Sequence, residues 1–273
     1  MGLFGFLFGR KKKKQLKIGL ALGSGGAKGF AELGALSAFE QNNIAFDVVA
    51  GTSIGSIIGA FYADGYSSTD IMELLKKIDF GELANMLMMK IDTAKVAEII
   101  DKNIGEKNIE ELNKPFFAVA TELDTGDEKV FKSGQVATAL CASSSYPPFF
   151  KPVIIDGKRY IDGAFSNSVP ADVLKAGGAD YVIAIDLSSH EPKSASMLDK
   201  IFPTYKGKIE KPWEKGYEYA DVMIHPVLKE FKPTSFTQGS IMYEIGYRAA
   251  MEKIPKIKAD IELLKKGKKK RDK

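Results

Sequence analysis

The stretch that most limits how this chain can fold is Gly51-Thr52-Ser53-Ile54-Gly55, with the apolar run Phe46-Asp47-Val48-Val49-Ala50 before it. Behind it comes Ser56 to Ala63, a helical pattern whose one breaker is Gly59. A strand, a G-x-S-x-G turn and a helix in that order form the context of a nucleophile elbow. The chain reverses over about three residues, so the serine is held in a strained backbone conformation, and glycines on either side leave no side chain to collide with strand or helix. Such a turn lifts the Ser53 hydroxyl to the C-terminal edge of a sheet, at a helix N-terminus whose amides favour developing negative charge. The structural alternative is a plain strand-to-helix turn with Ser53 as the helix cap.

A second strand–glycine–helix unit precedes it. Leu16 to Leu22 reads as a buried strand, Gly23-Ser24-Gly25-Gly26-Ala27-Lys28-Gly29 as a glycine-rich loop, and Phe30 to Glu40 as a helix with apolar positions at Leu33, Leu36 and Phe39. The order Lys28-Gly29-Phe30 lacks the Gly-Lys-Ser/Thr of a P-loop. A dinucleotide fingerprint would need glycine at 28 and an acidic residue closing the next strand, where Ala50 stands. Two readings remain: an oxyanion hole of bare backbone amides, or a tight strand–helix packing turn.

Farther along, Thr69 to Ile104 is helical in pattern and contains a methionine-rich stretch, Leu83 to Met89, readable as core filler or as a cover that contacts acyl chains. Phe116 to Thr121 and Lys129 to Phe131 read as strands joined by the turn Asp124 to Asp127, and Val136 to Ala142 as a short helix running into Ser143 to Pro148. Val153 to Ile155 and Arg159 to Ile161 form a hairpin through Asp156-Gly157. It delivers Asp162-Gly163-Ala164, either a common Asp-Gly turn or a carboxylate presented at the same sheet edge as Ser53. Val169 to Gly178 is helical, Tyr181 to Leu187 is a buried strand, Ser188 to Trp213 is loop-like, Ala220 to His225 is a strand, and Ser240 to Leu264 is helical around Pro255. Strands alternating with helices predict an α/β fold with a mostly parallel sheet covered on both faces.

Charge is unevenly spread. Residues 1–14 carry +5 and residues 265–273 carry +6, so a chain of net charge +4 has a body of −7. A basic face for nucleic acid is therefore not expected. The N-terminal segment, five large apolar side chains before a collar of Arg10 and Lys11 to Lys14, puts its charges after its apolar run, unlike a secretory signal, and has Phe6 where myristoylation asks for Ser or Thr. It reads as a peripheral anchor for an anionic membrane or as a solvated tail, as does the basic C-terminal run. No stretch approaches the roughly 18 apolar residues of a membrane span. The single Cys141 fits a reducing compartment, and two histidines make a histidine-based metal site unexpected.

Taken together, these segments resemble the patatin-like phospholipase family, its bacterial single-domain members in particular. The glycine-rich loop matches at Gly23, Gly25, Gly26, Ala27 and Gly29, with Lys28 where Arg is usual, Ser24 where Gly is usual and Glu32 where His is frequent. The nucleophile motif matches at Gly51, Ser53 and Gly55, and the aspartate motif at Asp162, Gly163 and Ala164. Ala142-Ser143 with Pro147, Phe150 and Pro152 resembles the family's segment before its aspartate. The resemblance implies a three-layer α/β/α fold and a Ser53–Asp162 dyad rather than a triad, with no cofactor and no metal. A free carboxylate has a pKa of about 4, so burial has to raise its basicity for it to take the serine proton. Amides at Gly25, Gly26, Ala27 and Lys28 would form the oxyanion hole, with the Lys28 side chain adding charge nearby or making an ordinary surface ion pair. His190 and His225 are the candidates for a triad histidine, and the resemblance assigns them no catalytic part.

The expected organisation is an anchor at 1–14, a catalytic domain at 15–190, an extension at 191–264 packed on it, and a basic tail at 265–273. The expected activity is hydrolysis of phospholipid or lysophospholipid esters through an acyl-enzyme, in the cytoplasm at the inner face of the membrane. The alternatives are an acyltransferase and a membrane-associated scaffold with weak catalysis. Oligomeric state is left open.

Overall fold

The computed structural model describes residues 15–76, 93–188, 190 and 211–271. The anchor at 1–14, the methionine-rich stretch at 83–89 and most of the loop before Trp213 lie outside them. Strand β1 (Ile18–Leu22) leads through a 3₁₀ turn at Gly26–Gly29 into α1 (Phe30–Gln41), and β2 (Val48–Thr52) leads directly into α2 (Ile54–Asp64). Helices α3 (Ser68–Lys76) and α4 (Ala94–Ile104) precede β3 (Phe116–Glu122), β4 (Glu128–Phe131) and α5 (Val136–Ser144). The hairpin β5 (Val153–Ile155) and β6 (Lys158–Asp162) follows. Then come α6 (Ala171–Ala176), β7 (Tyr181–Ile185), α7 (Glu214–Tyr219), β8 (Val222–Ile224) and α8 (Gly239–Arg271).

The strands form one sheet in the order β5-β6-β3-β2-β1-β7-β8, with β4 also on β3. β3, β2, β1, β7 and β8 are parallel to their neighbours, whereas β4 and β6 run antiparallel to β3, as does β5 to β6. The side-chain period of two sorts the central strands between two cores. Leu20, Leu22, Val49, Ile183 and Ile185 pack with the apolar faces of α1, α2 and α8, while Ala21, Val48, Ala50, Val182 and Ala184 pack with α6 on the other face. β1, β2 and β7 are buried at all five of their positions, as parallel strands covered on both faces must be. The architecture is three layers, α/β/α.

Two features differ from the sequence reading. Helix α7 lies where no element is predicted, and α8 does not stop at Leu264 but carries the basic run on to Arg271. Cationic side chains in a last helical turn are favoured by the carbonyl end of the helix dipole. β8 joins the same sheet and α8 the same core as β1 and α1, so the described residues beyond 210 share the packing of the N-terminal strands and helices.

Candidate active site

β3 brings the two distant motifs together. Its residues Ala118 and Val119 pair with both β2 and β4, and Ala120 and Thr121 pair with both β4 and β6. β4 therefore occupies one edge of β3, and β2 and β6 share the other, end to end. Thr52, the last residue of β2, is opposite Val119, and Asp162, the last of β6, is opposite Ala120. Adjacent residues on one strand thus set Ser53 and Asp162 side by side. The Ser53 hydroxyl donates to Asp162 Oδ2 at 2.6 Å across 109 residues of chain.

Ser53 has φ 58° and ψ −125°, a conformation costly for a residue with a side chain. Both of its peptide groups are tied down. Its amide donates to Ser143 Oγ at 2.9 Å, and that hydroxyl donates onward to the Val119 carbonyl at 2.6 Å. Its carbonyl accepts from the Ser56 hydroxyl at 2.6 Å and from the Ser56 amide at 2.9 Å. The flanking glycines are required by space: a Cβ on Gly51 would lie 2.2 Å from the Gly55 carbonyl oxygen, and one on Gly55 would lie 2.5 Å from that of Leu22. Gly163 is under the same constraint, with the Val119 carbonyl oxygen 2.2 Å from where its Cβ would stand.

Asp162 is fully buried. Its Oδ1 accepts the Ala164 amide at 2.8 Å, which fixes the carboxylate plane and leaves Oδ2 facing the serine. Tyr146 stacks on Phe165 nearby, and burial, with a smaller contribution from the Asp162 charge, pushes its phenol up to about 12. Ser53 itself is 9% exposed and the carboxylate behind it is fully buried.

The glycine-rich loop follows β1, next to β2 in the sheet. Gly26 has φ +58°, and a Cβ there would lie 2.5 Å from the Pro233 carbonyl oxygen. That same oxygen accepts the Ala27 amide at 2.7 Å, and the Lys28 amide donates to Gly25 O at 3.2 Å. Ala27 and Lys28 were expected among the oxyanion donors; the Ala27 N–H is taken by the chain before α8 and the Lys28 N–H by the loop's own 3₁₀ turn. Gly25 and Gly26, both partly exposed, are the remaining candidates. The Lys28 side chain is 7% exposed, which removes the reading of it as a surface ion pair. Gly26, Ala27, Phe30, Ile54, Leu75 and Phe236 line an apolar recess that reaches the residue after the nucleophile.

Glu32, which stands where the resemblance expects histidine, is fully buried on α1. Its Oε1 accepts the Gly23 amide at 2.7 Å and so anchors the start of the loop. Desolvation, opposed by that amide and reinforced by the Asp186 charge, holds its carboxyl well above the ordinary carboxylate range. The two histidines are bonded away from Ser53: His190 pairs with Asp186 and His225 with the Ser188 carbonyl.

The sequence model of the family described as Patatin-like phospholipase matches residues 20–175, which takes in the glycine-rich loop, Ser53 and Asp162. The chain belongs to the patatin-like phospholipase family. Human patatin-like phospholipase domain-containing protein 6 is 33% identical over 193 residues, covering 66% of this chain and 14% of that protein. Lysophospholipase NTE1 of Mycosarcoma maydis is 29% identical over 280 residues, 87% of this chain and 15% of that one. The chain thus spans about one seventh of the length of these curated relatives. Among solved structures, VipD from Legionella pneumophila has a TM-score of 0.48 and 14% identity over 88% of this chain and 67% of that one.

Within this patatin-like domain, the sequence singles out Ser53 and Asp162, which the structure brings into contact, but not the groups that support Ser53. Ser143 lies in a segment whose resemblance was noted, but its bond to the Ser53 amide depends on α5 packing beside β3 and has no local signal. Pro233 is equally silent, because a carbonyl acceptor leaves no trace in residue type.

Proposed function

We propose that this chain is a serine acyl-hydrolase that cleaves carboxylic esters of phospholipids or lysophospholipids through a Ser53–Asp162 dyad and an acyl-enzyme. The observation that carries the reading is the 2.6 Å hydrogen bond from Ser53 Oγ to a buried carboxylate whose other oxygen is occupied. As Oγ attacks the ester carbonyl, its proton passes to Asp162 Oδ2, which then returns it to the leaving alcohol. Water repeats the sequence on the acyl-enzyme. The Gly25 and Gly26 amides serve the tetrahedral oxyanion, where a single donor is typically worth about 3 kcal/mol. The apolar recess beside Ile54 takes the start of the acyl chain. Residues 15–190 form the catalytic domain, residues 191–264 are an extension packed on it, and the basic ends meet an anionic lipid surface at the inner face of the membrane. No helix among the described residues is long and apolar enough to cross a membrane.

The test uses a fluorophosphonate probe and a short-chain ester. Wild type is labelled and Ser53→Ala is not; Asp162→Asn, which can keep the Ala164 contact, loses on the order of 10⁴-fold in turnover. A His225→Ala variant retains turnover. A wild-type chain that resists the probe, or an Asp162→Asn variant that stays active, overturns the reading.

A further inference from the structure

The only two histidines of the chain, 35 residues apart in sequence, come together at the C-terminal edge of the sheet. Their rings stack with centroids 4.4 Å apart. His225 follows β8, and His190 follows β7 by way of Asp186, whose Oδ2 lies 2.7 Å from His190 Nε2. Asp186 is 1% exposed, whereas His190 is partly open to solvent and His225 is exposed. One donor atom from each of the three residues can be chosen so that all lie within 4.8 Å of one another. Trp213 stacks on His190 at 5.3 Å and Tyr217 meets its edge at 5.2 Å, so the ring is held from two sides. Ser188 ties the cluster together: its amide donates to Asp186 Oδ1 at 2.8 Å and its carbonyl meets His225 Nε2 at 2.9 Å. The Ser188 hydroxyl is buried with no partner among the described residues, as is Glu32 Oε2.

We propose that Asp186, His190 and His225 form a binding site for a divalent transition-metal ion of the Zn²⁺ type. Two imidazoles and one carboxylate are a borderline-soft donor set; it suits Zn²⁺ and its first-row neighbours and not Mg²⁺ or Ca²⁺, which take oxygen. Zn²⁺ bonds of about 2.0–2.2 Å in a tetrahedron put ligand atoms roughly 3.4 Å apart. The Asp186–His190 pair, now 2.7 Å apart, opens to that value as the ion replaces their direct contact, and the exposed His225 ring turns to bring its nitrogen in. The buried carboxylate supplies the charge, the exposed His225 beside the partly open His190 supplies the entry path, and solvent takes the fourth position. The site is separate from the nucleophile: β7 is two strands from β2, about 10 Å at ordinary strand spacing. It still adjoins the glycine-rich loop, because Gly25 packs against Leu187, the residue after Asp186.

The full chain, stripped with a chelator, is titrated with Zn²⁺ by calorimetry and with Co²⁺ by visible absorption. One ion per chain is expected, with the d–d absorption of a four-coordinate site and no comparable uptake of Mg²⁺ or Ca²⁺. His225→Ala and Asp186→Asn each weaken binding by at least about tenfold. Zn²⁺ raises the thermal midpoint of wild type and not of His225→Ala. If Asp186→Asn does not fold, His225→Ala, at an exposed position, still decides the matter. Absence of stoichiometric Zn²⁺ uptake, or equal uptake by wild type and the His190→Ala/His225→Ala double variant, overturns the assignment.

Discussion

Ser53 holds a backbone conformation that costs a non-glycine residue about 1–3 kcal/mol, and Ser143 is among the groups that keep it there. Ser143→Ala leaves the Ser53 amide without its acceptor and the Val119 carbonyl without its donor. A loss of about 1–3 kcal/mol in urea-unfolding stability is expected, together with a fall in kcat larger than any change in KM. A stability loss with unchanged kcat would make Ser143 a packing residue only. Glu32 offers a test with a definite sign. Its carboxyl pKa is raised in the folded chain, so its contribution to stability is complete below the unfolded-state value of about 4.5. That contribution is lost as pH climbs toward the folded-state value. Glu32→Gln keeps the acceptor for the Gly23 amide and removes the buried charge. The variant is expected to unfold at higher temperature than wild type at pH 8 and to show a flatter profile between pH 5 and pH 8. At this scale the positions of Ser53 and Asp162 were legible because the tight turns that carry them demand glycine neighbours; the contacts of Glu32, Ser143 and Pro233 were not, since each acts through a partner that only the fold supplies.

At the scale of elements, α1 and α8 approach until backbone meets backbone. A Cβ on Gly34 would lie 2.0 Å from the Tyr243 carbonyl oxygen, and one on Gly246 would lie 1.9 Å from that of Ala31. Gly246→Ala is therefore expected to lower stability by about 1–3 kcal/mol, read as a drop in thermal midpoint. Gly267→Ala is the control on the same helix: nothing stands within 4 Å of its Cβ, and helix propensity predicts no loss or a small gain. The βα units were readable from periodicity and turn residues, and the Asp156-Gly157 hairpin from its dipeptide. Helix α7 escaped because Glu214 to Tyr219 is short and contains Gly216, which is there to let Val169 approach: a Cβ would lie 2.6 Å from that side chain's Cβ. The histidine pair escaped for another reason. Spacing along the chain carries no information about two strand ends that become neighbours only when β7 and β8 pair.

Over the whole molecule, a body of −7 lies between ends of +5 and +6. An acidic body repels an anionic bilayer, so the proposed membrane contact rests on the ends, at about 1 kcal/mol for each basic residue near the surface. Deleting residues 1–14 is expected to reduce cosedimentation with vesicles containing phosphatidylserine, while hydrolysis of a soluble short-chain ester is retained. Salt should release the intact chain from the same vesicles. Undiminished cosedimentation of the shortened chain would place the contact elsewhere.

β3 works as a ruler for the contact between Ser53 and Asp162, to which it contributes no atom of its own. Ser53 and Asp162 are set by two successive gradations of one edge, so lengthening a connection between their strands leaves the distance between them alone. Slipping β6 by a single gradation would carry Asp162 about 3.3 Å along the edge and, because side chains alternate, turn it to the opposite face. The distance between the two oxygens is thus set by parity as much as by length.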